Sequence, residues 1–155
     1  MKSTFLILFL GISVQAAAAQ SLRLQKYPAQ VFSGRPAAAK ISSPRARIYR
    51  TVIRNGAREG PNFAGHYTIV VWGCGLNCRQ LAIVDARSGE VFFPSNLLQI
   101  NFLFEDTAEF LQFRKNSRLL IVVGSMVGTN DDWRTGKYYY EWKNQRLLLV
   151  HAIKK

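Results

Sequence analysis

The chain has 155 residues, a length that suits one domain and argues against two. Apolar residues make up 48% of it and charged residues 19%, so the chain can bury a core and is not wholly disordered. Lys and Arg together number 21 against nine Asp and Glu, which gives a formal charge of +12. Two Cys are too few for a disulfide-dense scaffold or for an all-Cys zinc site.

Residues 1–19 have the three parts of a secretory signal peptide. Lys2 supplies a positive start, and Phe5–Val14 supplies an apolar stretch. Ala17 and Ala19 form a small-residue cleavage site before Gln20. An apolar stretch of about ten residues cannot cross a hydrocarbon layer about 30 Å thick, so we expect no transmembrane span in the mature chain. The Ala-rich signal is typical of bacteria and predicts a periplasmic or secreted protein.

The basic residues are concentrated in the N-terminal third of the mature chain. Nine of them lie between Gln20 and Arg58 without a single acid, whereas the remainder carries eleven basic and nine acidic residues. Residues 20–43 show Pro, Gly and Ser with little periodicity, which predicts a basic flexible arm, extended or mobile. Such an arm acts either as a solubilising tail or as a tether to an anionic envelope component. Because the protein is exported, we do not expect cytoplasmic nucleic acid as a partner.

One amphipathic helix is predicted at residues 44–56. Ser43 is a suitable N-cap, and Pro44 fits the first helical position because its missing N–H is not needed there. Gly56 is a natural C-terminal stop. Apolar residues follow at a spacing that shares one helical face: Ile48, Tyr49, Val52 and Ile53. A strand is the alternative, since the stretch is rich in β-branched residues.

The rest of the chain has the β-branched and aromatic character of strands, joined by tight turns. Such spacing indicates antiparallel hairpins. We predict an α+β domain over residues 44–155, mainly β, with one N-terminal helix packed on an antiparallel meander sheet of about six or seven strands. The other sheet face is expected to meet a second sheet or the sheet's own curl. The predicted strands are His66–Gly73, Arg79–Asp85, Glu90–Phe93, Glu109–Arg114, Leu119–Gly124, Lys137–Trp142 and Arg146–Ile153.

Cys74 and Cys78 flank a short turn, and an oxidising destination favours a disulfide that staples the hairpin. Three alternatives use the same residues: a redox pair, a thiolate metal site with His66 and Asp85, or a Cys74 nucleophile with His66 as base and Asp85 as orienting group. On a straight strand at ~3.3 Å per residue, His66 and Cys74 would lie about 26 Å apart, which disfavours the nucleophile. Export disfavours free thiols, so no metal and no cofactor is predicted.

Aromatic stripes mark two of the predicted strands. Tyr138, Tyr140 and Trp142 share one face of their strand. Stripes of this kind form either core or a binding surface. Alternation in the earlier strand sets His66, Thr68, Val70 and Trp72 on one face, and Tyr67, Ile69 and Val71 on the other. We select five tentative binding residues from this region: His66, Tyr67, Trp72, Arg79 and Asp85.

A loop at residues 129–133 contains two adjacent carboxylates, Asp131 and Asp132. Their spacing does not match a calcium loop, so we predict a solvated loop or an intramolecular partner for the basic arm. The sequence has no serine-hydrolase elbow, phosphate loop or zinc-protease motif. We therefore predict no catalytic residue from sequence motifs.

Residues 61–85, PNFAGHYTIVVWGCGLNCRQLAIVD, resemble the signature of an uncharacterised family of small exported bacterial proteins. The matching segments are Asn62–Tyr67, Trp72–Cys78, Asp85–Gly89 and the late strand Tyr138–Trp142. The resemblance covers about two thirds of the mature chain. It implies export and a β-rich domain, and it implies no activity and no catalytic residues.

These observations favour a small exported binding or inhibitor-type module that is stapled by one disulfide. The alternative from another class is an exported hydrolase or thiol enzyme that uses His66, Cys74 and Asp85. A structural envelope protein without a discrete ligand is the third possibility. The partner of the binding module is expected to be an anionic envelope component or another protein.

Overall fold

The computed structural model describes residues 23–101, 110–127 and 135–154. The chain is mainly β, with 44% strand in an antiparallel sheet of eight strands and 15% helix, which confirms the predicted class. The predicted signal peptide, the first residues of the arm and the acidic pair at 131–132 lie outside the described residues.

The predicted helix is present as two helices, α1 (Pro44–Ile48) and α2 (Arg50–Arg58). The Oγ of Ser43 accepts a hydrogen bond from the backbone N–H of Ala46 at 3.1 Å, which confirms the N-cap. Tyr49 separates the two helices at φ −101°, ψ 19°. This break turns Ile48 to solvent, where it is 73% exposed, and the prediction that Ile48 shares the buried face is wrong.

Gly56 does not end the helix. A Cβ at Gly56 would lie 2.7 Å from Cγ1 of Val70, so the glycine allows α2 to approach the sheet closely. The helix continues to Arg58, and the chain leaves it through Gly60 at φ +87°. Gly60 therefore has the left-handed position that the sequence suggested for Gly56.

The eight strands form one sheet in the order β1-β2-β4-β6-β7-β8, with β3 paired to β2 and β5 paired to β6. Every pair is antiparallel. All seven predicted strands are present, and β4 is an additional strand that joins β2 to β6. The strands are β1 (Tyr67–Gly75), β2 (Cys78–Asp85), β3 (Val91–Phe92), β4 (Gln99–Asn101), β5 (Leu111–Gln112), β6 (Leu119–Val127), β7 (Gly136–Lys143) and β8 (Arg146–Lys154).

The sheet curls over a shared core. Ile69 of β1 and Leu81 of β2 belong to the same buried cluster as Leu120, Tyr140 and Trp142 of the second half of the sheet. The opposite face of β1 and β2 packs under the helices, around a second cluster that includes Ile53, Val70 and Val84. The face alternation predicted for β1 and β7 is therefore correct, as is the packing of one sheet face on the helix. Of the two alternatives for the other face, a second sheet or the sheet's own curl, the structure has the curl.

The segment 23–43, called the strap below, begins with the helical residues 23–25, then runs without helix over the domain, and is bound to it. Leu24 is 3% exposed and packs with Leu119, Ile121 and Tyr139 on the outer face of β6 and β7. Backbone N–H groups along the strap donate to carbonyls of the domain: Ala29 to Asn116, Phe32 to Gly65, Ala37 to Ala86 and Lys40 to Gly89. These carbonyls satisfy backbone N–H groups of the strap. The amino-acid composition of the segment does not predict such pairing.

Candidate functional site

The two cysteines form a disulfide, as predicted. Cys78 pairs with Gly75 across the β1–β2 hairpin, and Leu76 and Asn77 form the connecting turn. Asn77 has φ +55°, a left-handed conformation that Asn tolerates well. The bond closes the outer end of this hairpin, and both thiols of the chain are used in it.

His66 and Asp85 meet at the opposite end of the same hairpin. Nε2 of His66 lies 3.9 Å from Oδ1 of Asp85, because Asp85 pairs with Tyr67 at the start of β1. Oδ1 of Asp85 also accepts a hydrogen bond from the backbone N–H of Arg87 at 2.8 Å. Burial lowers the pKa of His66 below 6.5, although Asp85 acts in the other direction, so the imidazole is neutral at pH 7.

The structure does not bring Cys74 to His66 and Asp85. The end of the hairpin with Cys74 and the end with His66 and Asp85 are seven to eight strand residues apart. At ~3.3 Å per residue this separation is about 25 Å. The sulfurs are also bonded to each other and cannot act as nucleophile or metal ligands. Throughout the described ranges, no group of three or more His, Cys, Asp or Glu side chains could hold a metal ion.

The other three candidate binding residues lie at different positions in the β1–β2 hairpin. Trp72 packs beneath the helices against Tyr49, with ring centroids 4.6 Å apart. Tyr67 lies on the opposite face of β1 against Trp142, at 5.2 Å. Arg79 donates a hydrogen bond to the carbonyl of Cys78 at 2.9 Å. Tyr67 stays beside His66, with ring centroids 4.2 Å apart, and pairs with Asp85, whereas Trp72 and Arg79 lie elsewhere, so the five residues do not form one site.

A cleft between the strap and α2 presents a different arrangement, which the sequence analysis missed. It has a volume of about 610 Å³ and is lined by Arg35, Arg54 and Arg58, together with residues 36–39 and Ala57. We call it the arginine cleft. The clustering of basic residues before Arg58 was the signal for it, but their convergence depends on where the strap runs.

Three features of the chain build the arginine cleft. Hydrogen bonds from Ala37 to Ala86 and from Lys40 to Gly89 fix the strap beside the helix. A Cβ at Gly89 would lie within clashing distance of the Ala38 carbonyl, so glycine at φ +77° permits this close approach. The strap's consecutive alanines are too small to fill the space between the two elements.

Arg54 and Arg58 are four residues apart, which places them on one face of α2. Arg35 faces them from the strap. All three are exposed, and none of their side chains makes an ion pair or a hydrogen bond with another described residue. The lining contains no acid.

The cleft continues into a row of cations along the helices, formed by Arg47, Arg50, Arg54 and Arg58. The three on α2 recur every fourth residue over about 12 Å. Planar guanidinium groups without internal counterions bind phosphate and carboxylate oxygens in bidentate geometry. The arrangement is therefore suited to an anion.

No protein-family model, no curated protein and no solved structure matches this chain. The resemblance of residues 61–85 to a family of exported proteins therefore stays a prediction. Among the described residues, no helix is long and apolar enough to cross a membrane.

Proposed function

We propose that this protein is a small exported binding module, stapled by one disulfide, that binds a phosphate-bearing polymer of the bacterial envelope in the arginine cleft. The observation that supports this function is the convergence of Arg35, Arg54 and Arg58 on one concave site without a described counterion. The expected export brings such a site to the compartment where anionic envelope polymers occur.

The placement of the arginines on two elements favours phosphate over carboxylate as the recognised group. Each guanidinium offers five N–H donors, and they approach the cleft from the strap and from α2. The non-bridging oxygens of a phosphate diester surround a tetrahedral phosphorus and accept from more directions than the planar carboxylate, and they pair bidentately with Arg. A volume of about 610 Å³ holds the phosphate together with neighbouring units of a polymer.

The lining favours binding over catalysis. Guanidinium groups stay protonated and act only as donors, and the alanine methyl groups contribute neither a base nor a nucleophile. The cation row on α2 extends the attraction beyond the cleft and suits a chain of repeated charges.

The test is a titration of the mature, oxidised protein with a soluble poly(glycerol phosphate), followed by calorimetry. The variant Arg54→Gln/Arg58→Gln removes two cations from the cleft. Arg47→Gln/Arg50→Gln removes the same charge from the same helical region outside it. We expect the first variant to bind at least about tenfold more weakly, because two charge-assisted contacts are lost. The second variant is expected to lose only the part of the polymer affinity that depends on salt concentration.

Equal losses in the two variants would mean that only overall charge attracts the polymer, and the cleft would have no specific role. A poly(glutamate) of similar charge tests the chemistry of the ligand. If it bound as tightly as the phosphate polymer, the preference for phosphate would be wrong.

A further inference from the structure

We propose that a second surface, independent of the arginine cleft, docks the protein on bilayers that contain anionic phospholipid. The observation behind it is the exposure of Leu76 and Ile48, at 83% and 73%. The other exposed large apolar side chains of the described chain reach only 41–53%. Uncovered side chains of this size mark an interaction site when they lie together.

Leu76 and Ile48 lie at the same end of the domain. Helix α2 begins where Tyr49 stacks on Trp72, and seven residues later Gly56 faces Val70. The helix therefore runs antiparallel to β1. Ile48 comes directly before Tyr49 in the helical layer, and Leu76 comes after Trp72, at the outer end of the hairpin. Both residues therefore lie beyond the Tyr49–Trp72 contact in the same direction.

The hairpin end that carries Leu76 is a narrow projection, defined as the tip and formed by residues 73–77. Residues 73–76 are exposed, and no other part of the described chain lies within 4 Å of a Cβ built at Gly75. The tip has no charged side chain, and the Cys74–Cys78 disulfide holds its shape. A rigid, uncharged projection can enter an interface without reorganising.

Arginines flank the second apolar residue. The guanidinium of Arg47 donates to the carbonyl of Ser42, and that of Arg50 donates to the carbonyl of Arg47. Neither forms an ion pair with a described acid. Exposed apolar side chains next to cations are the combination that binds anionic lipid surfaces.

The shape favours a bilayer over a protein pocket. Leu76 and Ile48 project from two separate convex elements, the tip and the turn between α1 and α2. One protein pocket cannot readily accept both, whereas the fluid headgroup region moulds around each of them. The proposed orientation points this end at the lipid and leaves the arginine cleft, at the other end of α2, accessible to its polymer.

The experiment measures partition of the mature, oxidised protein onto phosphatidylcholine vesicles with and without phosphatidylglycerol, by co-sedimentation. Ile48→Ser/Leu76→Ser removes the two apolar groups. The matched control Leu148→Ser/Ile153→Ser removes two side chains on β8 that are 44% and 48% exposed. We expect the first variant to lose about tenfold or more in partition to the anionic vesicles, since burial of each side chain is lost. The control is expected to partition like the unmodified protein.

Equal partition of the Ile48→Ser/Leu76→Ser variant and the unmodified protein would overturn the proposal, and so would an absence of binding to anionic vesicles at low salt. Leu76→Trp provides a direct readout: its fluorescence should shift to the blue and be quenched by brominated lipid, whereas Leu148→Trp should not respond. Arg54→Gln/Arg58→Gln separates the two proposals. It should weaken polymer binding while the Ser substitutions still reduce lipid partition.

Discussion

Tyr49 stacks on Trp72 with ring centroids 4.6 Å apart, and this contact joins the helical layer to the β1–β2 hairpin. Tyr49 is also the residue at which the helix breaks. The break allows α1 to bury Ala46 over the sheet while α2 presents its arginines to the strap. One aromatic contact thereby positions both the arginine cleft and the exposed Ile48.

Loss of the Tyr49 ring is expected to destabilise the protein. Tyr49→Ala removes a partly buried aromatic contact and leaves Trp72 without its stacking partner, so we expect the free energy of unfolding to fall by about 2 kcal/mol. Urea denaturation measures this change. Tyr49→Phe keeps the ring and should have nearly the same free energy of unfolding as the unmodified protein. A large loss of stability in this variant would mean that the hydroxyl, and not the ring, is responsible.

Substitution of Gly56 tests the close approach of α2 to the sheet. Gly56→Ala gains helix propensity but places a methyl group against Val70, which is 5% exposed and stiff. We expect a net destabilisation of about 1 kcal/mol or more. Asn55→Ala, on the exposed side of the same turn, should be stabilising by a few tenths of a kcal/mol. A stabilising Gly56→Ala in thermal or urea unfolding would contradict the packing.

Removal of the disulfide is expected to lower stability modestly. Cys74→Ser/Cys78→Ser opens a small ring, for which loop-closure entropy gives about 2 kcal/mol. Before substitution, the protein expressed with its predicted signal should have an intact mass that lacks two hydrogen atoms, and its cysteines should resist alkylation until they are reduced. The same spectrum tests the predicted cleavage before Gln20. Alkylation of the untreated protein would show free thiols and contradict the staple.

The pH dependence of stability should contain a contribution from His66. Burial lowers the pKa of His66 in the folded state, whereas the unfolded chain titrates near 6.5. Between these two pKa values the unfolded state binds more protons, so stability falls as the pH decreases below about 6.5 and is unaffected above it. His66→Gln should flatten this slope in urea denaturation at several pH values. Asn55→Ala, which removes no titrating group from an exposed position, serves as the control and should leave the slope unchanged.

Much of the fold follows from patterns of nearest neighbours in the sequence. Alternation divided the residues of β1 correctly between its two faces, and Ser43 with Pro44 identified the start of α1. The short turn that Cys74 and Cys78 flank indicated the disulfide. Each of these signals lies within a few residues of the feature that it predicts.

The parts that were missed depend on contacts between distant segments. Strand β4 is three residues long and is defined by its pairing to β2 and β6. The strap is fixed by carbonyls such as those of Ala86 and Gly89, which have no counterpart in composition. For the same reason, the convergence of Arg35 with Arg54 could not be predicted, although the excess of basic residues was plain.

The most direct test of polymer binding in the arginine cleft observes the arginine side chains themselves. Nitrogen-15 NMR of the mature protein can follow each guanidinium Nε–Hε signal during titration with poly(glycerol phosphate). We expect saturable shifts for Arg35, Arg54 and Arg58, with smaller changes at Arg47. Shifts of equal size at every exposed arginine, or none at Arg35, would contradict a binding site in the cleft.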